Sequence, residues 1–231
     1  MHEHEINQAG WNKIAVQWAQ RPRAIVNWEA CRDREHEVLR ADEQQHLGDI
    51  VGKRICVLGS GDNLLVFRFA KLGAQLTSVD ISQGMLDIAI DRAAGLGLDI
   101  TFIQADVVDL QMIEDNQFDI VYTGGHVSLW VCDLKRYFAE AVRILRPGGT
   151  FMIKEYHPFR YLWKEQSDKL ELAHDYYATG PFAIERADDI PSYVYHWTVS
   201  DYVTAMLQTG CVLPCSCSAV NSQPVCSIAV T

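Results

Sequence analysis

No stretch of this 231-residue sequence approaches the roughly 18 to 20 consecutive apolar residues that a membrane-spanning helix requires. The first ten residues, MHEHEINQAG, lack the basic region followed by an apolar one that marks a secretory leader. Basic residues are scarce: 20 Lys and Arg stand against 30 Asp and Glu, a formal net charge of −10. Binding to a phosphate backbone needs clustered cations, and none are clustered here, so nucleic acid is not an expected partner. Membrane is excluded on the same reading, and a soluble, cytoplasmic protein is expected. Metal-ligand spacing is missing too. Of the seven cysteines, Cys211, Cys215, Cys217 and Cys226 gather near the end, but not as C-x-x-C and with no His after them. Cys56 lies in the apolar run Ile55-Cys56-Val57-Leu58, where a thiol acts as a small hydrophobe. The expectation is reduced thiols and no metal.

What is present is 48% hydrophobic residues on a chain long enough to bury a core without metals or disulfides. No repeat or low-complexity linker divides it. Residues 1–50 form an expected helical cap, with Trp11, Ile14, Ala15 and Trp18 at i, i+3, i+4 and i+7 on one face. These tryptophans serve either packing or a lid over a cleft. A second helix is expected over 33–47, after the break at Arg21-Pro22-Arg23.

From Lys53 onward, short apolar runs alternate with helical segments: RICVLGS, NLLVFRFAKLGA, QLTSVD, QGMLDIAIDRAAGLG, DITFIQAD and FDIVYTGG. Near-continuous apolar strands with helices between them imply an α/β fold with a doubly wound, mostly parallel sheet covered on both faces. A further helix over 133–145 is expected to stop at Arg146-Pro147-Gly148-Gly149, which turns the chain into the strand TFMIKEY. Residues 157–197 are aromatic-rich and aperiodic, an insertion before the last helix. That helix should start near Thr198, where Thr198-x-x-Asp201 resembles a capping box, and end at Gly210. A terminal hairpin is expected around Asn221-Ser222-Gln223-Pro224.

Ligands of open parallel sheets bind beyond the carboxyl ends of the strands. The first exit carries Gly59-Ser60-Gly61-Asp62-Asn63, small residues that admit a ligand to the backbone just before a helix N-terminus. Nineteen residues past Gly61 the second strand ends at Asp80, a carboxylate able to accept both hydroxyls of a ribose. At the third exit Asp106 can accept from an adenine amine held between Ile81 and Val107. Three exits therefore fit one nucleoside.

The segments ICVLGSGDN, TSVDIS, FIQADV, FDIVYTGG and RILRPGG, in this order over residues 53–156, resemble the class I S-adenosylmethionine-dependent methyltransferases of the small-molecule type. The resemblance implies a seven-stranded Rossmann-like sheet ending in an antiparallel hairpin, in a methyltransferase domain spanning 51–231. It implies S-adenosyl-L-methionine as cofactor, with Gly59, Ser60 and Gly61 at its methionine part, Asp80 at the ribose, and Asp106 with Val107 at the adenine; Asn63, Ile81 and Thr123 complete the expected cofactor-binding set. Two departures stand out. The family usually has an acid two residues before the first glycine and a third glycine two after the second; Val57 and Asn63 occupy those positions. Carbonyls near Thr123 and Gly124, or Asp62, are the candidates to hold the cofactor's ammonium instead. A nicotinamide-dependent oxidoreductase is the weaker nucleotide-binding alternative, because its fingerprint needs a glycine where Leu64 stands. A non-catalytic S-adenosylmethionine-binding protein is the other alternative.

A methyltransferase holds its acceptor in line behind the methyl and excludes water; it needs a base only where the acceptor must lose a proton. An imidazole is the side chain suited to that task near neutrality. His126, at the fourth strand exit, and the pair Tyr156 and His157, after the fifth, are the expected catalytic residues. Glu155 is expected to pair or to face solvent, and His196 and Trp197 to pack as core aromatics. Aromatic density without a basic cluster points to a small, flat or partly apolar acceptor.

Overall fold

The computed structural model describes residues 2–20, 27–32, 39, 41–164, 169–186, 189–212, 218–220 and 223–230. Five strands run parallel: β1 (Arg54–Leu58), β2 (Gln75–Asp80), β3 (Ile100–Gln104), β4 (Phe118–Gly124) and β5 (Leu145–Lys154). Their order is β3-β2-β1-β4-β5, so the chain reverses direction between β1 and β4 and opens a crevice there. On the far edge β10 (Gln223–Val230) joins β5 antiparallel and carries both β8 (Cys211–Val212) and β9 (Ser218–Val220). The sheet thus has eight strands among the described residues, where seven were expected; β9 is the addition, paired to β10 as the near side of the terminal hairpin. Residues 221 and 222 of that turn lie outside the described residues.

The alternation of strand side chains builds two cores. Ile55 and Val57 of β1, with Ile120 and Tyr122 of β4, face α3 (Leu64–Lys71) and α4 (Gln83–Leu96). Cys56 and Leu58 face the other way, with Phe151 and the helices α5 (Leu134–Arg143) and α6 (Val199–Gln208). In α5 the apolar residues Leu134, Tyr137, Phe138 and Ala141 fall on one face at i, i+3, i+4 and i+7, and all four are buried. Truncating Phe138, fully buried against Tyr137 and Phe151, costs about 3–5 kcal/mol on the scale of such core losses. Each of these helices starts on a side-chain cap: Asn63 accepts from Leu65 N–H, Ser82 from Met85, Asp133 from Arg136, and Thr198 with Asp201 closes the capping box.

Two boundaries differ from expectation. Among the described residues the helix expected over 33–47 is only α2 (Ala41–Leu47), preceded by a 3₁₀ turn at Trp28–Arg32; residues 33–38 and 40 lie outside them. Arg146-Pro147-Gly148-Gly149 does not separate α5 from the strand but belongs to β5. Pairing with β4 jumps from Phe118–Leu145 to Ile120–Thr150. Pro147 has no N–H to donate and Gly148 takes φ +74°, so the chain bulges outward without leaving the sheet.

The cover over the crevice comes from both ends of the chain. α1 (His2–Ala19) lies between α4 and a separate hairpin, β6 (Phe182–Arg186) with β7 (Ile190–Val194), from the 157–197 insertion. The approach is close: a Cβ on Gly10 would stand 3.0 Å from Ile190 Cγ2, and one on Gly84 2.9 Å from Ala15 Cβ. Asn7 completes the junction as a strand would, accepting from Tyr193 N–H at 2.8 Å and donating to its carbonyl at 2.9 Å. No described helix is long and apolar enough to cross a membrane.

Candidate active site

A cleft of about 310 Å³ opens at the carboxyl ends of β1, β2 and β3, within the usual range of small-molecule sites. Gly59, Ser60, Gly61, Asn63, Asp80, Ile81, Asp106 and Val107, all expected from the sequence, line it. The glycines are needed there. Gly59 holds φ +59°, and a Cβ on it would stand 2.5 Å from Val127 Cγ2; Gly61 holds φ +48°, with Met85 Cε 3.2 Å from where its Cβ would be. Asn63, in place of a third glycine, spends its side-chain oxygen capping α3.

Asp80 is 8% exposed, and its carboxylate accepts from the N–H of Gly61 at 2.6 Å and of Ser82 at 2.8 Å. Burial, with a lesser contribution from Asp62, pushes this carboxyl up to about 6 against those two hydrogen bonds. The sign follows directly. Between about pH 4 and 6 the folded protein retains a proton that the unfolded chain has released, so ionising Asp80 lowers stability as pH rises through that window. Hydroxyl donors from a ribose would favour the ionised form. Affinity for S-adenosylhomocysteine, the demethylated cofactor, is therefore expected to fall as pH is lowered through about 6. Calorimetry across this range should show the loss in the native protein and not in Asp80→Asn; a flat native profile would contradict it.

Asp106 and Asp62 are each tied to the cover. His4, 4% exposed, places Nδ1 2.5 Å from Asp106 Oδ2 while its Nε2 accepts from Cys132 N–H at 2.9 Å. A ring nitrogen that accepts a backbone N–H carries no proton, so Nδ1 is the donor to Asp106. Asp106 Oδ1 in turn accepts from Val108 N–H. Asp62 accepts from Trp18 Nε1 at 2.9 Å and is ion-paired with buried Arg92. Trp11 and Trp18 line the cleft and meet edge to face; Trp11 also meets Trp130, and the Arg186 guanidinium of β6 lies 3.8 Å above its ring. His4, Asn7, Trp11, Ile14 and Trp18 fall on one helical face, at steps of three and four. The sequence reading followed that stripe back only to Trp11, because a buried His and Asn do not register as apolar.

Thr123, expected at the cofactor, does not line the cleft. Alternation along β4 turns its side chain into the core, where Oγ1 accepts from Tyr137 hydroxyl at 2.5 Å. The expected catalytic residues lie outside the lining as well, and only two of them meet. His126, at φ +69°, stacks on Tyr156 with ring centroids 3.3 Å apart, and Arg160 covers the Tyr156 ring at 4.2 Å. Glu155, which is buried, accepts from Ser128 N–H at 3.0 Å and has Oε2 3.7 Å from His126 Nδ1. His157 is exposed, and its Nδ1 accepts from Phe159 N–H as the cap of the 3₁₀ turn Pro158–Leu162. Pro158 starts that turn, and it carries the His157 ring onto Phe159 rather than toward His126. Trp197 packs on the α5–α6 core and donates to Ser128 carbonyl; His196 stacks on Tyr161. Burial and the neighbouring His174 lower the His196 imidazole to about 4.

Residues 57–153 match the family model of the methyltransferase domain. The chain is 33% identical over 123 residues to the ubiquinone/menaquinone biosynthesis C-methyltransferase UbiE of Bdellovibrio bacteriovorus, covering 52% of each chain. It is 28% identical over 171 residues to the ubiquinone biosynthesis O-methyltransferase of Alkalilimnicola ehrlichii, covering 71% of this chain and 64% of that one. The chain spans about half the length of the first curated relatives it matches. In fold it superposes on a putative S-adenosylmethionine-dependent methyltransferase from Listeria monocytogenes with a TM-score of 0.68 at 18% identity, over 81% of this chain and 95% of that one. Residues 57–153 thus match a methyltransferase domain, and the chain shares the fold of an S-adenosylmethionine-dependent methyltransferase. S-adenosyl-L-methionine is the cofactor that this family and fold imply, and the cleft fits it: a buried carboxylate for a diol, an apolar slot between Ile81 and Val107, and a glycine loop that leaves room at the backbone.

Proposed function

We propose that this protein transfers a methyl group from S-adenosylmethionine to a small acceptor, aromatic or partly apolar. The observation that carries the reading is Asp80, a buried carboxylate pinned by Gly61 and Ser82 at the floor of a cleft whose roof is three tryptophans. The relatives support the acceptor class, since one is a ubiquinone/menaquinone biosynthesis C-methyltransferase and another a ubiquinone biosynthesis O-methyltransferase.

When bound, the cofactor supplies an electrophilic sulfonium methyl. This chain's residues would do the rest. Gly59, Ser60, Gly61 and Asn63 admit the amino-acid part, with Thr123 behind them; Asp80 holds the ribose; Asp106 holds the adenine in the slot between Ile81 and Val107. His126, stacked on Tyr156 with Glu155 Oε2 3.7 Å from its Nδ1, is the proposed base for an acceptor proton. His157 stands at the rim of that pair, with Nε2 the nitrogen left to take a proton. Residues 1–50 and the 157–197 insertion, within a methyltransferase domain over 51–231, serve as the cover that keeps water from the transfer. The cover is expected to tighten on binding. Hydrogen exchange should slow in α1 and in β6–β7 when S-adenosylhomocysteine is added; protection confined to 59–80 would leave these elements as static packing.

The test of the function is transfer itself. Purified protein with labelled cofactor and a panel of quinone-type phenols, other aromatics and polar amines should methylate a flat or partly apolar member, read by mass spectrometry as one added CH₂. Binding of cofactor without transfer to any panel member or to a cell extract would favour a non-catalytic binding protein. Binding of a nicotinamide cofactor instead would overturn the reading.

A further inference from the structure

We infer that Glu43, acting through Tyr122, is the positioning residue for the cofactor's amino-acid end, in the place where Val57 leaves the glycine loop without an acid. The inference rests on the cofactor reading above.

The amino-acid end brings an ammonium, and the carboxylates that line the cleft are already engaged: Asp62 with Arg92 and Trp18, Asp80 with two backbone donors, Asp106 with His4. A fourth carboxylate stands just behind the wall. Glu43 of α2 is fully buried, accepts from the Tyr122 hydroxyl at 2.8 Å through Oε1, and pairs with Lys154 Nζ at 3.3 Å through Oε2. Tyr122 is the register partner of Val57 and packs in the same core, so the two side chains stand next to each other on one face of the sheet. From there the phenol leans toward the carboxyl end of β4. A Cβ on Gly124 would meet the Tyr122 hydroxyl oxygen at 2.7 Å, and Gly124 lines the cleft.

The charge of Glu43 thus stands one hydroxyl away from the β4 exit, on the face where an acid at position 57 would have been. Stability alone does not account for it. A buried ion pair of this kind is about as stable when replaced by apolar groups of the same shape. Because the Tyr122 hydroxyl gives its proton to Glu43, its oxygen presents lone pairs toward Gly124. Lys154 is the register partner of Gly124, so Glu43 also offsets a cation beside the β4 exit and leaves the hydroxyl oxygen facing an incoming ammonium in a site of low dielectric. Gly124 has no side chain because this oxygen occupies the space.

Two probes separate the amino-acid end from the rest. S-adenosylhomocysteine carries it; methylthioadenosine keeps the nucleoside and the sulfur and lacks it. Calorimetry is expected to show that Glu43→Gln weakens S-adenosylhomocysteine about tenfold or more, as for a hydrogen bond to a charged group, while methylthioadenosine stays within about twofold. Tyr122→Phe, which keeps the ring and loses one oxygen, should reproduce that split, and it stands in should Glu43→Gln fail to fold. Equal loss for both probes would mean that the pair only holds the wall together, and unchanged affinity for both would mean that it does nothing there. Either result overturns the inference and leaves the cofactor reading intact. Failure of the unaltered protein to bind either probe overturns both.

Discussion

Asp80→Ala is expected to weaken binding of S-adenosylmethionine and its demethylated product by about 1.5–3 kcal/mol, roughly 10- to 150-fold, the range for hydrogen bonds to a charged group. The cause has two parts. The carboxylate would accept both hydroxyls of the ribose, and it already holds the glycine loop to the β2 exit through Gly61 and Ser82. Alanine leaves those two backbone donors without their acceptor, so the loop that frames the cleft loosens as well. Removing a carboxyl whose charge is disfavoured by burial offsets part of the damage to the unliganded fold. The unliganded melting temperature should therefore change less than the affinity does. Asp80→Asn separates the parts, since it keeps the side chain's size and one acceptor but not the charge. Calorimetry with S-adenosylhomocysteine decides the matter: affinity unchanged in Asp80→Ala would remove the ribose assignment.

His126→Ala should lower kcat roughly 10²-fold while cofactor affinity stays within a few-fold, the signature of a group that acts on the acceptor and not on the nucleoside. The position is built at some cost. A non-glycine residue at φ +69° is strained by about 1–3 kcal/mol and persists only where its surroundings hold it. Here the Tyr156 ring lies flat against the imidazole, and Glu155, fixed by Ser128 N–H, stands 3.7 Å from Nδ1. His157→Ala should cost less, because that ring is exposed and caps a 3₁₀ turn. If kcat survives the loss of both histidines, proximity alone carries the transfer and neither is the base.

Legibility in the sequence followed the distance between partners along the chain. The capping box of Thr198 and Asp201 joins residues three apart, so a short window contains the whole interaction. The same holds for the exits of β1, β2 and β3, where glycine or a carboxylate directly follows an apolar strand; their residues line the cleft as expected. The parallel, doubly wound character of β1 to β5 was legible too, because short, mostly apolar runs alternate with helical segments and crossover handedness leaves few ways to arrange them. The RPGG segment misled because Pro and Gly announce a break without saying whether the chain leaves the sheet or bulges within it. The placement of His157 was not legible either: the turn Pro158–Leu162 carries its ring onto Phe159, and nothing in the local sequence gives that direction.

Sequence by itself determined the scaffold of this protein: a parallel sheet, a nucleoside cleft at its exits, and a methyltransferase domain pattern over its middle. Only the tertiary structure decided what closes that cleft and what charges it. His4 meets Asp106 across 102 residues, Asn7 meets Tyr193 across 186, Trp18 meets Asp62 across 44, and Glu43 meets Tyr122 across 79. In each pair a buried polar side chain is satisfied by a partner far along the chain, which for Asn7 is the Tyr193 backbone. Local periodicity records which face of a helix is turned inward, but the identity of a distant hydrogen-bond partner exists only once α1, α2 and the β6–β7 hairpin have been laid against the sheet.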